Sequence, residues 1–259
     1  MLHNIVLDER KKAKILNSNC INCYHCVAIC PNEAITIDNK IPSKAKRYSS
    51  TFTSQEYLEF LKNKRSIRQY KDQEVEKSII EHIIEAGIYS PTAGNKQPVS
   101  YAIVTGERLK ELTKLSLKTL KSFADDFNDG NIDLNIDLNS AKRYTSMWKR
   151  FYKSYFEKGI DELFFNAPCL LLILGDTEKT LDPKTDCVIA SCNIGNMAYA
   201  SGLGFCYNGF FVRAYQSEEI CKFLGLELKY NLYTAMTIGY PNVEYRRTVF
   251  REKKEIFWI

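Results

Sequence analysis

Lys64-Arg65-Ser66-Ile67-Arg68-Gln69-Tyr70 and, one helix later, Ser90-Pro91-Thr92-Ala93-Gly94-Asn95-Lys96-Gln97-Pro98 are the stretches that decide how this chain is read. The first places Lys64, Arg65, Arg68 and the Ser66 hydroxyl within five residues at the end of a helix. Taken alone, such a turn is a solvated basic surface. The second is a polar loop between a helix and a strand, with small residues that allow a planar ring to approach closely. Its Asn95 and Gln97 add amide groups. A cationic turn suits a dianion, and a small-residue amide loop suits the polar edge of a ring.

The surrounding pattern alternates helix and strand. Tyr57, Leu58 and Leu61 begin a helix that runs into the basic turn. Val75, Ile79, Ile80, Ile83 and Ile84 share one face of the next, with Asp72 as its expected cap and Gly87 as its stop. Strands are expected at Val99–Thr105, Cys169–Gly175, Phe205–Phe211 and Leu232–Ile238. Between the first two lies a polar, aromatic stretch, Leu109 to Leu163, whose Asn/Asp-rich middle reads as irregular and as a mobile cover. Cys187 to Ser201 is helical in length and rich in small residues, which predicts a buried helix at a tight helix or subunit contact.

The other chemistry-bearing feature is Cys20-x2-Cys23-x2-Cys26-x3-Cys30-Pro31, the bacterial ferredoxin spacing for a [4Fe–4S] cluster. A zinc knuckle is the competing reading, but zinc sites pair well-separated CxxC units or use His. In two-cluster ferredoxins the fourth Cys of each run serves the other cluster. Cys20, Cys23 and Cys26 therefore lack a fourth ligand here, and Cys30 lacks its cluster. The remaining five of the 9 Cys lie between Cys169 and Cys221, mostly in apolar segments. The expectation is half of a two-cluster ferredoxin, either because Met1 is not the true start or because the module has decayed, with an incomplete cluster ligand set. Residues 1–41 form this module, 42–54 a polar linker, and 55–259 the main domain.

Composition narrows the classes. With 45% apolar and 26% charged residues, the 259-residue chain is ordinary for a folded soluble protein. Its longest apolar run, Cys169 to Leu174, is strand-sized, and the N-terminus lacks a signal-peptide core, so a cytoplasmic protein without a membrane role is expected. The net charge of +5 is spread among 31 acids rather than gathered in a stripe, which argues against nucleic acid. Nucleophile and zinc-protease motifs are absent, and Gly202-Leu203-Gly204 lacks the third glycine of a dinucleotide fingerprint.

The pair RSIRQY and SPTAGNKQP, followed by FFNAP (164–168), GLGFCYNGFF (202–211) and IGYPNVEYRR (238–247), resembles the nitroreductase-like FMN family over about residues 55–259. A ferredoxin module ahead of such a domain is an arrangement known in that family. FMN needs cations for its phosphate, amides at its pyrimidine edge, and positive charge or N–H dipoles where the reduced ring becomes negative. The resemblance implies that Lys64, Arg65, Ser66 and Arg68 hold the phosphate and reach the pyrimidine side. It implies that Arg247, with Arg246, closes on the phosphate. Pro91, Thr92, Ala93, Asn95 and Gln97 would belong to the loop that a partner subunit lays against the same flavin. Asn208 and Gly209 would form the turn near the flavin N5, with Phe164, Phe165, Tyr207 and Phe210 as stacking candidates or core residues. Val249 departs from the family's usual Pro after the basic pair, and the mid-chain amide that meets the flavin O4/N3 edge has no assignment.

The implied fold is α+β, with a central, mainly antiparallel sheet flanked by helices in an intimate homodimer. The tail KKEIFWI would add to the partner's sheet. The implied activity is ping-pong reduction of a small organic acceptor, nitroaromatic or quinone-like. Electrons would come from NAD(P)H or, given the cysteine run, from ferredoxin. No acid–base residue is needed where the flavin carries the chemistry. The alternatives are an iron–sulfur electron-transfer module, a zinc-bearing interaction protein, and a dehalogenase or flavin-modifying enzyme of the same fold.

Overall fold

The computed structural model describes residues 4–16, 20–37, 39 and 53–259. The expected linker, 42–54, lies almost wholly outside them, as does Asp38 of the expected Asp38-Asn39 turn. At the N-terminus, strands β1 (Ile5–Leu7) and β2 (Ala13–Ile15) pair antiparallel, and a short helix α1 (His25–Ile29) carries Cys26.

The main body is built on β4 (Cys169–Asp176), whose eight residues are all buried. A continuous apolar run can sit in a sheet only when both faces are covered. Side chains alternate across a strand, so Leu170, Leu172 and Leu174 enter one core while Cys169, Leu171 and Ile173 enter the other. The neighbours are β3 (Val99–Thr105) on one side and β6 (Tyr230–Gly239) on the other, with β5 (Gly204–Tyr207) outside β6. Every pair is antiparallel.

Helices α3 (Lys77–Ile88) and α6 (Pro183–Ala200) cover one face of the sheet, and α2 (Ser54–Asn63) packs on α6 through Phe60 and Tyr199, ring centroids 5.0 Å apart. Ile80 and Ile83 of α3 meet Cys187, Ile194 and Ala198 of α6 in the core below the sheet. Helices α4 (Gly106–Asn128), α5 (Leu138–Lys158), α7 (Gly209–Ala214) and α8 (Glu218–Leu224) cover the opposite face. The small-residue stretch does form one helix, α6, which buries one face and leaves Val188 and Cys192 exposed. A Cβ on Gly195 would stand 2.7 Å from the Phe205 ring, so only glycine lets β5 pack that close.

The Asn/Asp-rich middle of the stretch from Leu109 to Leu163 is irregular as expected, at about residues 129–137, between two long helices, α4 and α5, each of which buries an apolar stripe. Two local expectations are corrected. The strand expected over Phe205–Phe211 stops at Tyr207, because the Asn208 side chain caps α7 by accepting the Phe211 N–H at 2.9 Å. Asp72 does not cap α3, which starts after Glu76 without a side-chain cap.

Candidate functional site

The basic turn leaves the end of α2 and runs extended along the edge of the sheet. Ser66 pairs parallel with Phe205, and the Ile67 N–H donates to the Phe205 carbonyl at 2.9 Å. Ile67 can lie there because position 204 is glycine, where a Cβ would stand 2.6 Å from Ile67 Cγ1. Further on, Tyr70 bridges to Pro241, and its buried hydroxyl donates to the Ile67 carbonyl at 2.8 Å while meeting Thr237 Oγ1 at 2.9 Å. Burial pushes the Tyr70 phenol well above its ordinary range. The segment is thereby fixed to β5 and to the exit of β6.

Arg65 ties this segment to the C-terminal basic pair. Its guanidinium donates to the carbonyls of Lys62 (2.6 Å), Lys64 (2.7 Å) and Arg247 (3.2 Å), and lies 6.0 Å from the Tyr245 ring centroid. The Arg65 Nε is buried without a partner among the described residues. Such an orphaned donor is costly unless an acceptor arrives. A cavity of 360 Å³ opens here between Arg65, Arg247 and Gly204. Lys64 turns the other way and donates to Asn196 Oδ1 of α6.

At the opposite end of the same edge, Arg68 stands by Cys206, 5.8 Å from the Phe165 ring centroid. Burial pushes the Cys206 thiol up, with Arg68 and Ser66 opposing that shift. Phe165 and Asn166 both have left-handed backbone (φ 61° and 52°). The buried Asp161 carboxylate holds that turn by accepting the N–H groups of Leu163 (2.9 Å), Phe164 (2.9 Å) and Asn166 (3.1 Å). Asn208 is equally committed: its Nδ2 donates to the Leu163 carbonyl at 2.6 Å and its backbone N–H to Ala235 at 2.8 Å. Its part is to present Gly209, above which a Cβ would meet nothing within 4 Å. A cavity of 680 Å³ spans Arg68, Phe165, Cys206–Gly209 and the facing side chains of α5 and α7.

The amide loop is elsewhere. The Ala93 N–H donates to Asp186 Oδ1 (3.1 Å) at the start of α6, and Gly94, Asn95 and Gln97 all have positive φ. The Gln97 N–H donates to Thr92 Oγ1 at 3.0 Å, closing the turn behind Pro91. Lys64 reaches α6 at Asn196, ten residues beyond Asp186, or about 15 Å along a helix. The Asn95 amide is taken: Nδ2 donates to the carbonyls of Ile21 (3.0 Å) and Asn22 (2.9 Å), and Oδ1 accepts from Gln97 Nε2 (3.2 Å). Asn95 thus holds the loop between Cys20 and Cys23.

The cysteine run is more open than a cluster cradle. Cys20 is exposed, and Cys23, Cys26 and Cys30 are half-buried. The N–H groups of Ala34 and then Asn32 draw the Cys30 thiol below its ordinary range, with the Ala34 N–H 3.3 Å from its Sγ. Among the described residues, no three Cys, His, Asp or Glu side chains are grouped to hold a metal.

Of the sequence candidates, Arg65, Ser66, Arg68, Gly209 and Arg247 lie along one sheet edge, with Asn208 behind it and Arg246 beside Arg247 in the exposed C-terminal stretch. Pro91, Thr92, Ala93, Asn95 and Gln97 form a separate loop. Asp161, Asn196 and Arg213 carried no sequence signal: Asn196 matters through Lys64, distant in the chain, Asp161 through a local turn whose backbone N–H groups it gathers, and Arg213 through the cavity it lines.

A sequence profile of the nitroreductase family matches residues 61–240. The chain belongs to the nitroreductase family. A profile of the 4Fe-4S binding domain matches residues 13–36. A protein of Archaeoglobus fulgidus with the provisional name NADH dehydrogenase/NAD(P)H nitroreductase is 22% identical over 194 residues, covering 73% of this chain and 88% of its own. Two crystal structures of nitroreductases with bound FMN share the fold. That from Desulfitobacterium hafniense superposes with a TM-score of 0.59 at 21% identity, over 79% of this chain and 98% of its own. That from Bacteroides fragilis gives 0.57 at 20% identity, over 78% and 98%. This nitroreductase-family chain has no helix, among the described residues, long and apolar enough to cross a membrane.

Proposed function

We propose that the chain is an FMN-dependent oxidoreductase that works as a homodimer and passes electrons from NAD(P)H or reduced ferredoxin to a small organic acceptor. The observation that carries the reading is the Arg65–Arg247 bracket with its orphaned Nε donor. Two cationic segments, far apart in sequence, meet at one end of a sheet edge whose other end offers Arg68 and the uncovered Gly209. This fits FMN: Arg65 and Arg247 would hold the phosphate, Ser66 and Arg68 the pyrimidine side, and Gly209 would leave its ring face open. Bound there, the flavin supplies hydride and electron transfer, while the protein orients the acceptor and limits water.

The homodimer follows from where the amide loop sits. Pro91 to Gln97 lie at the far end of α6 from Lys64, so they reach a flavin most directly when it belongs to a second copy. Tyr57, Leu58 and Leu61 of α2, Ile88 of α3 and Val188 of α6 expose apolar surface on that side. In the tail, Phe250, Phe257 and Trp258 are 88%, 74% and 93% exposed, which suits a segment that packs on a partner. We place the flavin domain at 55–259 and the cysteine module at 1–41.

Parallel stopped-flow reduction of FMN-loaded protein by NADH, NADPH and reduced ferredoxin, each followed by a nitroaromatic and a quinone, tests this. Fast bleaching by at least one donor and reoxidation by an acceptor are expected. A flavin that none of the donors reduces would count against the reading.

A further inference from the structure

We propose that the acceptor is a small aromatic anion whose acidic group is held by Arg213. This rests on the flavin reading above and names the substrate class for the same site. The 680 Å³ cavity beside Gly209 has three arginines in its lining, Arg68, Arg150 and Arg213, against one acidic residue, Glu162. Glu162 is already committed: its Oε2 takes Arg150 at 2.8 Å and its Oε1 accepts the Ser154 hydroxyl at 2.6 Å. Arg68 sits on the flavin-side segment. Arg213 is left, half-buried in the last turn of α7, with no carboxylate in ion-pair range among the described residues. A partly buried guanidinium without a counter-charge favours an anion, and its planar fork matches a carboxylate.

The rest of the wall sets the shape. Phe210 meets Tyr144 (5.7 Å), Trp148 (6.3 Å) and Phe151 (5.6 Å) edge-to-face, which fixes an aromatic lining across α5 and α7. Leu134, Ile136 and Met147 complete the apolar part of this wall, so it offers a ligand ring faces and aliphatic surface. A flat ring bearing an anion complements this wall and Arg213 together. A neutral quinone would leave Arg213 without a counter-charge.

The test uses FMN-loaded protein and two acceptors matched in ring and size, 4-nitrobenzoate and 4-nitrobenzamide. Affinity for the oxidised protein is read by calorimetry. Turnover is read with NAD(P)H, each cycle taking R–NO2 to R–NO and water with two electrons and two protons. We expect the acid to bind about tenfold or more tighter than the amide, as a charge-assisted fork contact implies. Arg213→Gln should bring that ratio to near one, and Arg213→Lys should keep part of it. Equal affinity in the wild type, no binding of either, or an unchanged ratio in Arg213→Gln would each overturn the inference. The wild-type comparison stands even if a variant folds poorly. A strong acid preference in binding without turnover of either compound would sink the flavin reading while leaving the Arg213 site in place.

Discussion

Arg65 donates three hydrogen bonds to main-chain carbonyls and still keeps a buried Nε without a partner. Arg65→Ala would remove both the anion contact and the clamp on Arg247. Arg247→Ala would remove only the second cation. FMN affinity, read by quenching of its fluorescence, should weaken about tenfold or more in each, with Arg65→Ala the more severe. An unchanged affinity in Arg247→Ala would refute the role given to the C-terminal pair. Cysteine chemistry offers a second test at this scale. Burial pushes the thiols of Cys169 and Cys187 up to about 12, whereas backbone N–H groups draw Cys30 down. A lowered thiol stays ionised to lower pH, and the thiolate is the reactive form. Pulse alkylation from pH 6 to 9 should label Cys30 and spare Cys169 and Cys187 in the folded protein. Rapid labelling of Cys169 would contradict this. The cations of the proposed site were legible in sequence because they cluster locally, Arg65 and Arg68 in one turn and Arg246 and Arg247 in another. Arg213, Asp161 and Asn196 were not, since a lone residue acquires meaning only once folding sets its surroundings: a cavity wall for Arg213, a tight turn for Asp161, Lys64 for Asn196.

The elements show which signals the chain states plainly. The run Cys169 to Leu174 marked β4 because a strand buried on both faces must be apolar throughout. The small residues of α6 marked a close-packed helix for the same kind of reason. Periodicity failed where polar composition hid it: α4 and α5 carry many Lys on their exposed faces, and their buried stripe emerges only once paired. At Asn208 a local side-chain cap overrode an apolar strand pattern. The α3–α6 contact gives a prediction about packing. Gly87 is buried, and a Cβ there would lie 2.7 Å from both Ile194 Cδ1 and the Tyr101 hydroxyl. Gly87→Ala should therefore destabilise the fold by about 1–3 kcal/mol, despite alanine's better helix propensity. Urea unfolding measures it, and a more stable variant would mean that α3 and α6 are not held at this distance.

For the whole molecule, the amide loop joins two stories. Asn95 turns inward to hold the Ile21–Asn22 carbonyls, while the loop around it stands at the far end of α6 from Lys64. Asn95→Ala should release the cysteine module, seen as faster protease cleavage near Ile21 with the main body intact. Unaltered cleavage would show that the module is anchored by other contacts. The larger consequence of the proposed homodimer is a shared site: one copy would bring the cations and the other the loop. Sedimentation velocity followed at the flavin's visible band, after loading with FMN, tests that most directly. A yellow dimer carrying about one FMN per chain is expected. A stable monomer that keeps its FMN, or a protein that stays colourless after loading, would contradict it.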